Sequence, residues 1–246
     1  MIDTVDIHAH IIPGVDDGAV DFEESVDMLK MAVNNGTTDI VATPHYLADK
    51  LRCAGLGASE LKAQFDELKE VAERRVPGIN LHFGAEMYGV GTIESIIRSG
   101  DVVTLNNNGY VLTEFAFNDS PKRALEIVKV LQNAGYKVVI AHPERYVFVK
   151  ENPRLIVPFL ETGALLQLNP QSILGDCDPV EQDVALSFLE NNLAAVVASD
   201  CHSAFRRSPD LSDAYSFVFL NFSPEYAERL FHNNPLAIIR GEKLIL

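Results

Sequence analysis

Cysteine is scarce in this chain. The 246 residues hold three, Cys53, Cys177 and Cys201, odd in number and without a Cys-x-x-Cys pair, so neither a disulfide framework nor a thiolate zinc site is expected. Basic charge is also short. Twenty Lys and Arg stand against 35 Asp and Glu, and a net charge of −15 repels polyanions over most of a surface, which argues against general nucleic-acid binding. Long apolar runs are missing too: no stretch approaches the span of a membrane helix, and no basic region followed by a hydrophobic signal segment stands at the N-terminus. Membrane insertion is not expected, and the chain reads as soluble and cytoplasmic. No low-complexity linker divides it, so one domain over residues 1–246 is the expectation.

What the sequence does have is an alternation of short apolar runs with longer amphipathic ones. A strand over Val5 to His10 is followed by a helix that Asp21 caps, with Glu24 three residues on and Phe22, Val26, Leu29 and Val33 at helical spacing. Further strands are expected at Asp39 to Thr43, Ile79 to Phe83, Gly109 to Thr113, Lys137 to Ala141, Ala164 to Leu168 and Leu193 to Ala198. Between them, Leu61, Phe65, Leu68 and Ala72 mark one helix, while Ser120-Pro121 and Asp178-Pro179-Val180-Glu181 open two others in cap-then-proline order. Pro158 interrupts a helix begun at Asn152-Pro153, and the loop Tyr46 to Ala58 is long enough to serve as a lid. About seven strands separated by helices make an α/β fold, a parallel barrel of βα units.

In such a barrel, catalytic groups sit where strands end. His8 and His10, two apart on a strand, project from one face as a pair of imidazoles. His45, Glu86, Glu114, His142, Asn169, Asp200 and His202 also fall at or just past strand ends, and Asp16 and Asp17 follow a Pro-Gly turn that can bring the chain back toward the histidine pair. One rim gathers them. Of the seven histidines only His82 and His232 lie outside this pattern. Taken singly each residue has a structural explanation, but so many ligand types at corresponding places exceed the needs of one ion and favour two or three. Histidine and carboxylate without thiolate suit manganese, iron or zinc.

Together, Asp6-x-His8-x-His10, Thr43-Pro44-His45, Gly84-Ala85-Glu86, Glu114-Phe115, His142-Pro143-Glu144-Arg145, Asn169-x-Gln171-Ser172 and Ser199-Asp200-x-His202 resemble the polymerase and histidinol phosphatase (PHP) superfamily. The Asp-Asp-Gly after the first motif, the His-Pro-Glu-Arg-Tyr block and Arg207-x-Pro are most similar to the bacterial capsule- and exopolysaccharide-associated tyrosine phosphatases. The resemblance implies a distorted TIM-like (β/α)7 barrel with a trinuclear site, usually supplied with manganese. By that resemblance His8, His10, Glu86 and Asp200 hold the first metal, Glu86, Glu114 and His142 the second, and Asp17, His45 and His202 the third. Asp16 competes with Asp17, and Tyr46 stands where some relatives carry a second histidine.

The chemistry expected from these parts is in-line attack on phosphorus by a water acidified between two cations, with arginine forks neutralising the phosphoryl oxygens. Arg145 and Arg207 are the expected phosphate-binding pair, with Arg206 the alternative to Arg207. Cys201 is not expected to act as a nucleophile, because no Cys-x5-Arg loop surrounds it. Three readings compete: a phosphatase of phosphotyrosine on a bacterial tyrosine autokinase, a small-molecule phosphoesterase of histidinol-phosphatase type, and a metal-binding barrel without turnover. The helices point to no particular interface for a homo-oligomer.

Overall fold

In a computed structural model of the chain, which describes residues 3–47 and 54–244, the strands are β1 (Thr4–Ala9), β2 (Thr37–Ala42), β3 (His45–Tyr46), β4 (Asn80–Phe83), β5 (Glu86–Tyr88), β6 (Tyr110–Glu114), β7 (Lys137–Ala141), β8 (Leu165–Leu168) and β9 (Val196–Val197). All pair in parallel, as β1-β2-β4 and as β3-β5-β6-β7-β8-β9. β3 carries on from β2 across Thr43-Pro44, and β5 from β4 across Gly84-Ala85. Among the described residues, nine segments therefore make seven staves. Proline has no N–H to give to a ladder, which accounts for the first break. Gly84 marks the second, where a Cβ would lie 2.9 Å from both Leu105 Cδ2 and Val41 Cγ1.

The last stave closes on the first. The Asp200 N–H donates to the His8 carbonyl at 2.8 Å, and the His10 N–H to the Cys201 carbonyl at 2.9 Å. Beneath them the buried Asp6 carboxylate accepts the Ser199 N–H at 3.0 Å, the Ser199 hydroxyl at 2.5 Å and the His8 N–H at 3.2 Å. This seam completes a distorted (β/α)7 barrel.

Alternate residues of each stave face opposite ways. Leu112, Val139, Ala141, Leu165, Val196 and Ala198 form an inner cluster. Val111, Val138, Ile140, Leu166, Leu168 and Val197 belong to an outer one, which takes in Val26, Leu29, Leu68, Leu131 and Phe188 from the surrounding helices. Burial on both faces is why the strands read as unbroken apolar runs.

The helices are α1 (Phe22–Asn34), α2 (Ala58–Arg75), α3 (Ile93–Ser99), α4 (Pro121–Asn133), the short α5 (Val147–Glu151), α6 (Val157–Glu161) and α7 (Pro170–Leu174), then α8 (Pro179–Glu190), α9 (Ser212–Asn221), α10 (Pro224–Glu228) and α11 (Asn234–Arg240). The expected caps are in place: Asp21 accepts the Glu24 N–H at 3.0 Å, Ser120 the Arg123 N–H at 3.2 Å, and Asp178 the Val180 N–H at 2.9 Å. Ile238 and Ile239 of α11 pack against the inner cluster. No helix among the described residues is long and apolar enough to cross a membrane.

Three local expectations change. Glu86 begins a strand instead of ending one, because Gly84-Ala85 interrupts its stave. The strand expected over Leu193 to Ala198 shortens to Val196–Val197, since the chain beyond it bonds to β1. Glu181, which stands three residues after Asp178 where a capping-box acid is expected, pairs instead with Lys150, 3.0 Å away. Six residues of the loop read as a lid, 48–53, lie outside the described residues, and Cys53 with them.

Replacing Asp6 with alanine leaves two buried N–H groups without their acceptor and the Ser199 hydroxyl with only the His8 carbonyl, 3.2 Å away. Denaturant unfolding of Asp6→Ala is expected to show a loss of about 2–5 kcal/mol with an unchanged m-value, and a loss below about 0.5 kcal/mol would refute the seam as a stability element.

Candidate metal centre

Where the staves end, each imidazole of the His8 and His10 pair is held from behind. The Gln167 amide nitrogen donates to the Leu168 carbonyl at 2.9 Å and to Asn169 Oδ1 at 2.8 Å, which leaves Gln167 Oε1 to accept from His8 Nδ1 at 2.9 Å. His10 Nδ1 donates to Asp16 Oδ2 at 2.7 Å. Both rings then turn Nε2 forward, and the two Nε2 atoms stand 3.2 Å apart. Two lone pairs at that separation repel unless a proton or a cation lies between them.

Carboxylates surround this pair. His8 Nε2 lies 3.3 Å from Asp200 Oδ1 and 3.4 Å from Glu86 Oε1, and His10 Nε2 lies 3.5 Å from Asp200 Oδ1 and from Glu86 Oε2. Glu86 is central: its Oε1 also meets His142 Nε2 at 3.0 Å, and its Oε2 meets His45 Nδ1 at 2.8 Å. Glu114 Oε1 is 3.2 Å from the same His45 nitrogen, while Asp17 Oδ1 is 3.3 Å from both His45 Nε2 and His202 Nε2.

Three sets of ligand atoms, each within 4.8 Å of one another, result: His8, His10 and Asp200; His45, Glu86 and Glu114; and His10, Asp17, His45 and His202. All nine residues singled out in the sequence converge on one rim. Their division differs from the one the resemblance implies. His45 joins Glu86 and Glu114 because its two ring nitrogens face different ways, and His142 touches Glu86 outside that set. The donors are imidazole and carboxylate, buried except for partly exposed His202 and half-exposed Asp17, and they fit divalent first-row metals.

The electrostatics point the same way. Burial disfavours a charged His8, but Glu86 and Asp200 overcome it and raise the group to about 9. His45 is likewise pushed up to about 12 against its burial, by Glu86 and then by Asp17 and Glu114. Despite burial, His8 holds Glu86 and Asp200 well below the usual carboxylate range. His202 moves oppositely, to about 4, through burial and the neighbouring His10. Without metal, protons on His8 and His45 occupy the field that cations would neutralise.

The two adjacent aspartates differ in what their carboxylates meet. The Asp16 carboxylate is consumed by His10, by the Gly18 N–H at 3.0 Å and by the His45 N–H at 3.0 Å, whereas half-exposed Asp17 aims at two histidines. Gly18 lies against the His10 carbonyl and Cβ so closely that any side chain there would overlap them. Asn169 is not among the metal-facing groups: its amide donates to Asp200 Oδ2 at 2.8 Å and its N–H to Glu144 Oε1 at 2.9 Å.

Arg207 pairs with Asp200 Oδ2 and brings Nη1 within 3.3 Å of His202 Nε2, and Arg145 Nη1 reaches Asp200 Oδ2 at 3.5 Å. Both line a cleft of about 430 Å³ with Asp17, His45, Glu86 and His142. Arg206 is exposed and does not line it. His142, Asp200 and Arg207 all take left-handed backbone, with φ of 35°, 50° and 52°, a conformation retained where surrounding contacts impose it. Cys201 is fully buried in the seam with its thiol pushed up by burial, so it offers no thiolate. His82 pairs with Asp39 at 2.9 Å, and His232 bonds the Asp3 carbonyl at 2.9 Å, both away from the rim. Tyr46 is buried in the core.

Sequence reasoning missed Gln167 and the orienting role of Asp16. The one polar side chain in Leu165-Leu166-Gln167-Leu168 was the available signal, because a buried amide needs partners.

Comparison with known proteins places these features in context. The family model for capsular polysaccharide synthesis, CpsB/CapC, matches residues 4–240. Tyrosine-protein phosphatase YwqE of Bacillus subtilis is 32% identical over 234 residues, covering 95% of this chain and 91% of its own. Tyrosine-protein phosphatase CpsB of Streptococcus agalactiae serotype V is 30% identical, covering 96% of this chain and 98% of its own. A crystal structure from work on YwqE of Bacillus subtilis and CpsB of Streptococcus pneumoniae, described as metal-dependent tyrosine phosphatases, superposes with a TM-score of 0.88 at 30% identity, over 98% of this chain and 96% of the other.

Because His8 and His45 start protonated, metal binding near pH 7 is expected to release protons, roughly two per chain, and apparent affinity should rise with pH, less steeply above about 9, where His8 has titrated and only His45 still holds its proton. Calorimetry of Mn2+ binding in buffers of different ionisation enthalpy measures this, and binding without proton release would contradict it. Gln167→Leu removes the acceptor for His8 Nδ1 and is expected to weaken metal affinity about 10- to 100-fold. Equal affinity in competition with a chelator would remove Gln167 from the site.

Proposed function

The chain belongs to the CpsB/CapC family of capsular polysaccharide synthesis, and from that membership we propose that it is a metal-dependent protein-tyrosine phosphatase acting through the rim of histidines and carboxylates. The observation that carries the reading is the meeting of Arg145 and Arg207 at Asp200, in the cleft that His45, Glu86 and His142 also line. A metal store needs no anion clamp at its mouth.

The ligands proposed are His8, His10, Asp17, His45, Glu86, Glu114, His142, Asp200 and His202, holding two or three ions, with Mn2+ the preferred ion and Fe or Zn compatible with the same donors. When bound, such ions supply positive charge that polarises the phosphoryl group and acidifies water for attack on phosphorus. The chain's own residues do the rest. Glu86, facing histidines on both of its oxygens, fixes neighbouring sites relative to one another. Gln167 and Asp16 hold His8 and His10 in the tautomer that presents Nε2. Asp200 steers both guanidiniums toward the cleft, where their forks can take the equatorial oxygens of a phosphoryl group bidentately. A phenolate departs more readily than an alkoxide, so tyrosine phosphate asks little of a general acid.

The substrate proposed is phosphotyrosine on a bacterial tyrosine autokinase that controls capsule or exopolysaccharide synthesis, in the cytoplasm. The capsule-synthesis family supports this choice, and the acidic surface disfavours a nucleic-acid substrate.

The deciding experiment resupplies metal-stripped protein with manganese, zinc or magnesium and follows phosphate release from a phosphotyrosine peptide, a phosphoserine peptide and histidinol phosphate. Selective, manganese-restored hydrolysis of phosphotyrosine is expected. A preference for histidinol phosphate would replace the proposal with a small-molecule phosphoesterase, and silence on all three with metal bound would leave a binding barrel. Arg145→Ala should keep its metal and lose about 10²- to 10³-fold in kcat, whereas His8→Ala and Glu86→Ala should lose both metal and activity. Normal metal content with normal rates in all three variants would sink the site assignment.

A further inference from the structure

One wall of the cleft takes no part in holding metal or phosphate. Phe117 lies on the turn after β6, three residues beyond Glu114, and is 40% exposed, while Phe115 and Tyr146 beside it are buried. Its carbonyl accepts the Val147 N–H at 2.8 Å, which ties this turn to the segment that follows Arg145. The ring stands edge-on to His142, with centroids 6.0 Å apart, and the Arg145 guanidinium carbon lies 4.6 Å from its centroid. Val147, also 40% exposed, lines the same cleft. An aromatic residue left this open beside buried ionic groups has surface to offer a ligand.

The floor and mouth of the cleft differ in a way that defines the occupant. Glu86 and Asp200 are buried at 0% and 1% exposure, so a phosphoryl group that reaches them must be carried in on a long side chain. Next to that path the wall is apolar. A serine phosphate keeps phosphorus one methylene from its backbone, whereas tyrosine inserts a whole ring, and that ring requires apolar surface at the height of Phe117 and Val147.

We propose that Phe117, with Val147 beside it, forms a subsite for the phenyl ring of the phosphorylated tyrosine and sets the preference for aryl over alkyl phosphate monoesters. This rests on the reading of the site as a tyrosine phosphatase. Arg145 is then shared between the two parts of the substrate, stacked on the ring that receives the phenyl group while its fork meets the phosphate.

The test is steady-state kinetics of manganese-loaded wild type, Phe117→Ala, Phe117→Leu and Phe117→Tyr on phenyl phosphate, a phosphotyrosine peptide and ethyl phosphate, with inorganic phosphate as inhibitor and metal content measured for each. Phe117→Ala and Phe117→Leu are expected to raise KM for the two aryl substrates about 3- to 10-fold, with KM for ethyl phosphate and Ki for phosphate unchanged and with Phe117→Tyr restoring the wild-type value. Leucine keeps a cushion under Arg145, so its behaviour separates ring recognition from support of the arginine. An equal loss on aryl and alkyl esters, or a weakened phosphate Ki in the leucine variant, would overturn the proposal and make Phe117 a prop for Arg145. If the wild type hydrolyses no phosphotyrosine, the tyrosine-phosphatase reading itself fails, and the subsite with it.

Discussion

The constraint on which this structure depends is the burial of like charge. Glu86, Glu114 and Asp200 are nearly or wholly removed from water, Glu86 sharing one histidine nitrogen with Glu114 and another with Asp200, and water no longer screens their repulsion. Among the described residues, no lysine stands in the groups that face them. The fold meets this with imidazoles, whose nitrogens either carry protons or present lone pairs to cations, and with two arginines at the open side. A barrel is suited to the task because each stave ends at the same rim and can deliver one or two groups there without a loop having to find its own way.

Around the converging groups lies a layer of amides, backbone and carboxylates that settles orientation. The chain from His8 through Gln167 and Asn169 to Asp200 leaves each polar atom one role: an acceptor for the imidazole, a donor for the next amide, a donor for the carboxylate. Asp16 acts likewise on His10 while anchoring the His45 backbone. Such fixed partners narrow the rotamers of the inner groups and so lower the entropy lost when a ligand arrives.

Much of this was legible in the sequence because strand ends are legible. Apolar runs stop at His45, Glu114 and His142, and a chemist's eye for ligand types does the rest. Membership in the rim followed from that position, while the division into sets did not, since it depends on which way each ring nitrogen points. His45 shows the limit: one residue serves two sets through Nδ1 and Nε2. The broken staves were also hidden, because Thr43-Pro44 and Gly84-Ala85 resemble ordinary strand ends when the partner that carries the ladder onward is unknown. Gln167 and Phe117 escaped for a third reason. Their value lies in contacts with residues remote in sequence, and neither residue type announces metal or phosphate chemistry.

The seam between the first and last staves has a bearing on how such a molecule comes into being. Asp6 and Ser199, which meet there, are 193 positions apart, and the ligand pair of β1 faces Asp200 and His202 across the same line. A chain emerging from the ribosome makes His8 and His10 well before their counterparts Asp200 and His202, each of which follows 192 positions later. Until then the histidine pair is half a site, weak in its hold on any ion. Competence therefore arrives only once Asp200 and His202 have been made and can close on β1, and a product truncated before them would be inert.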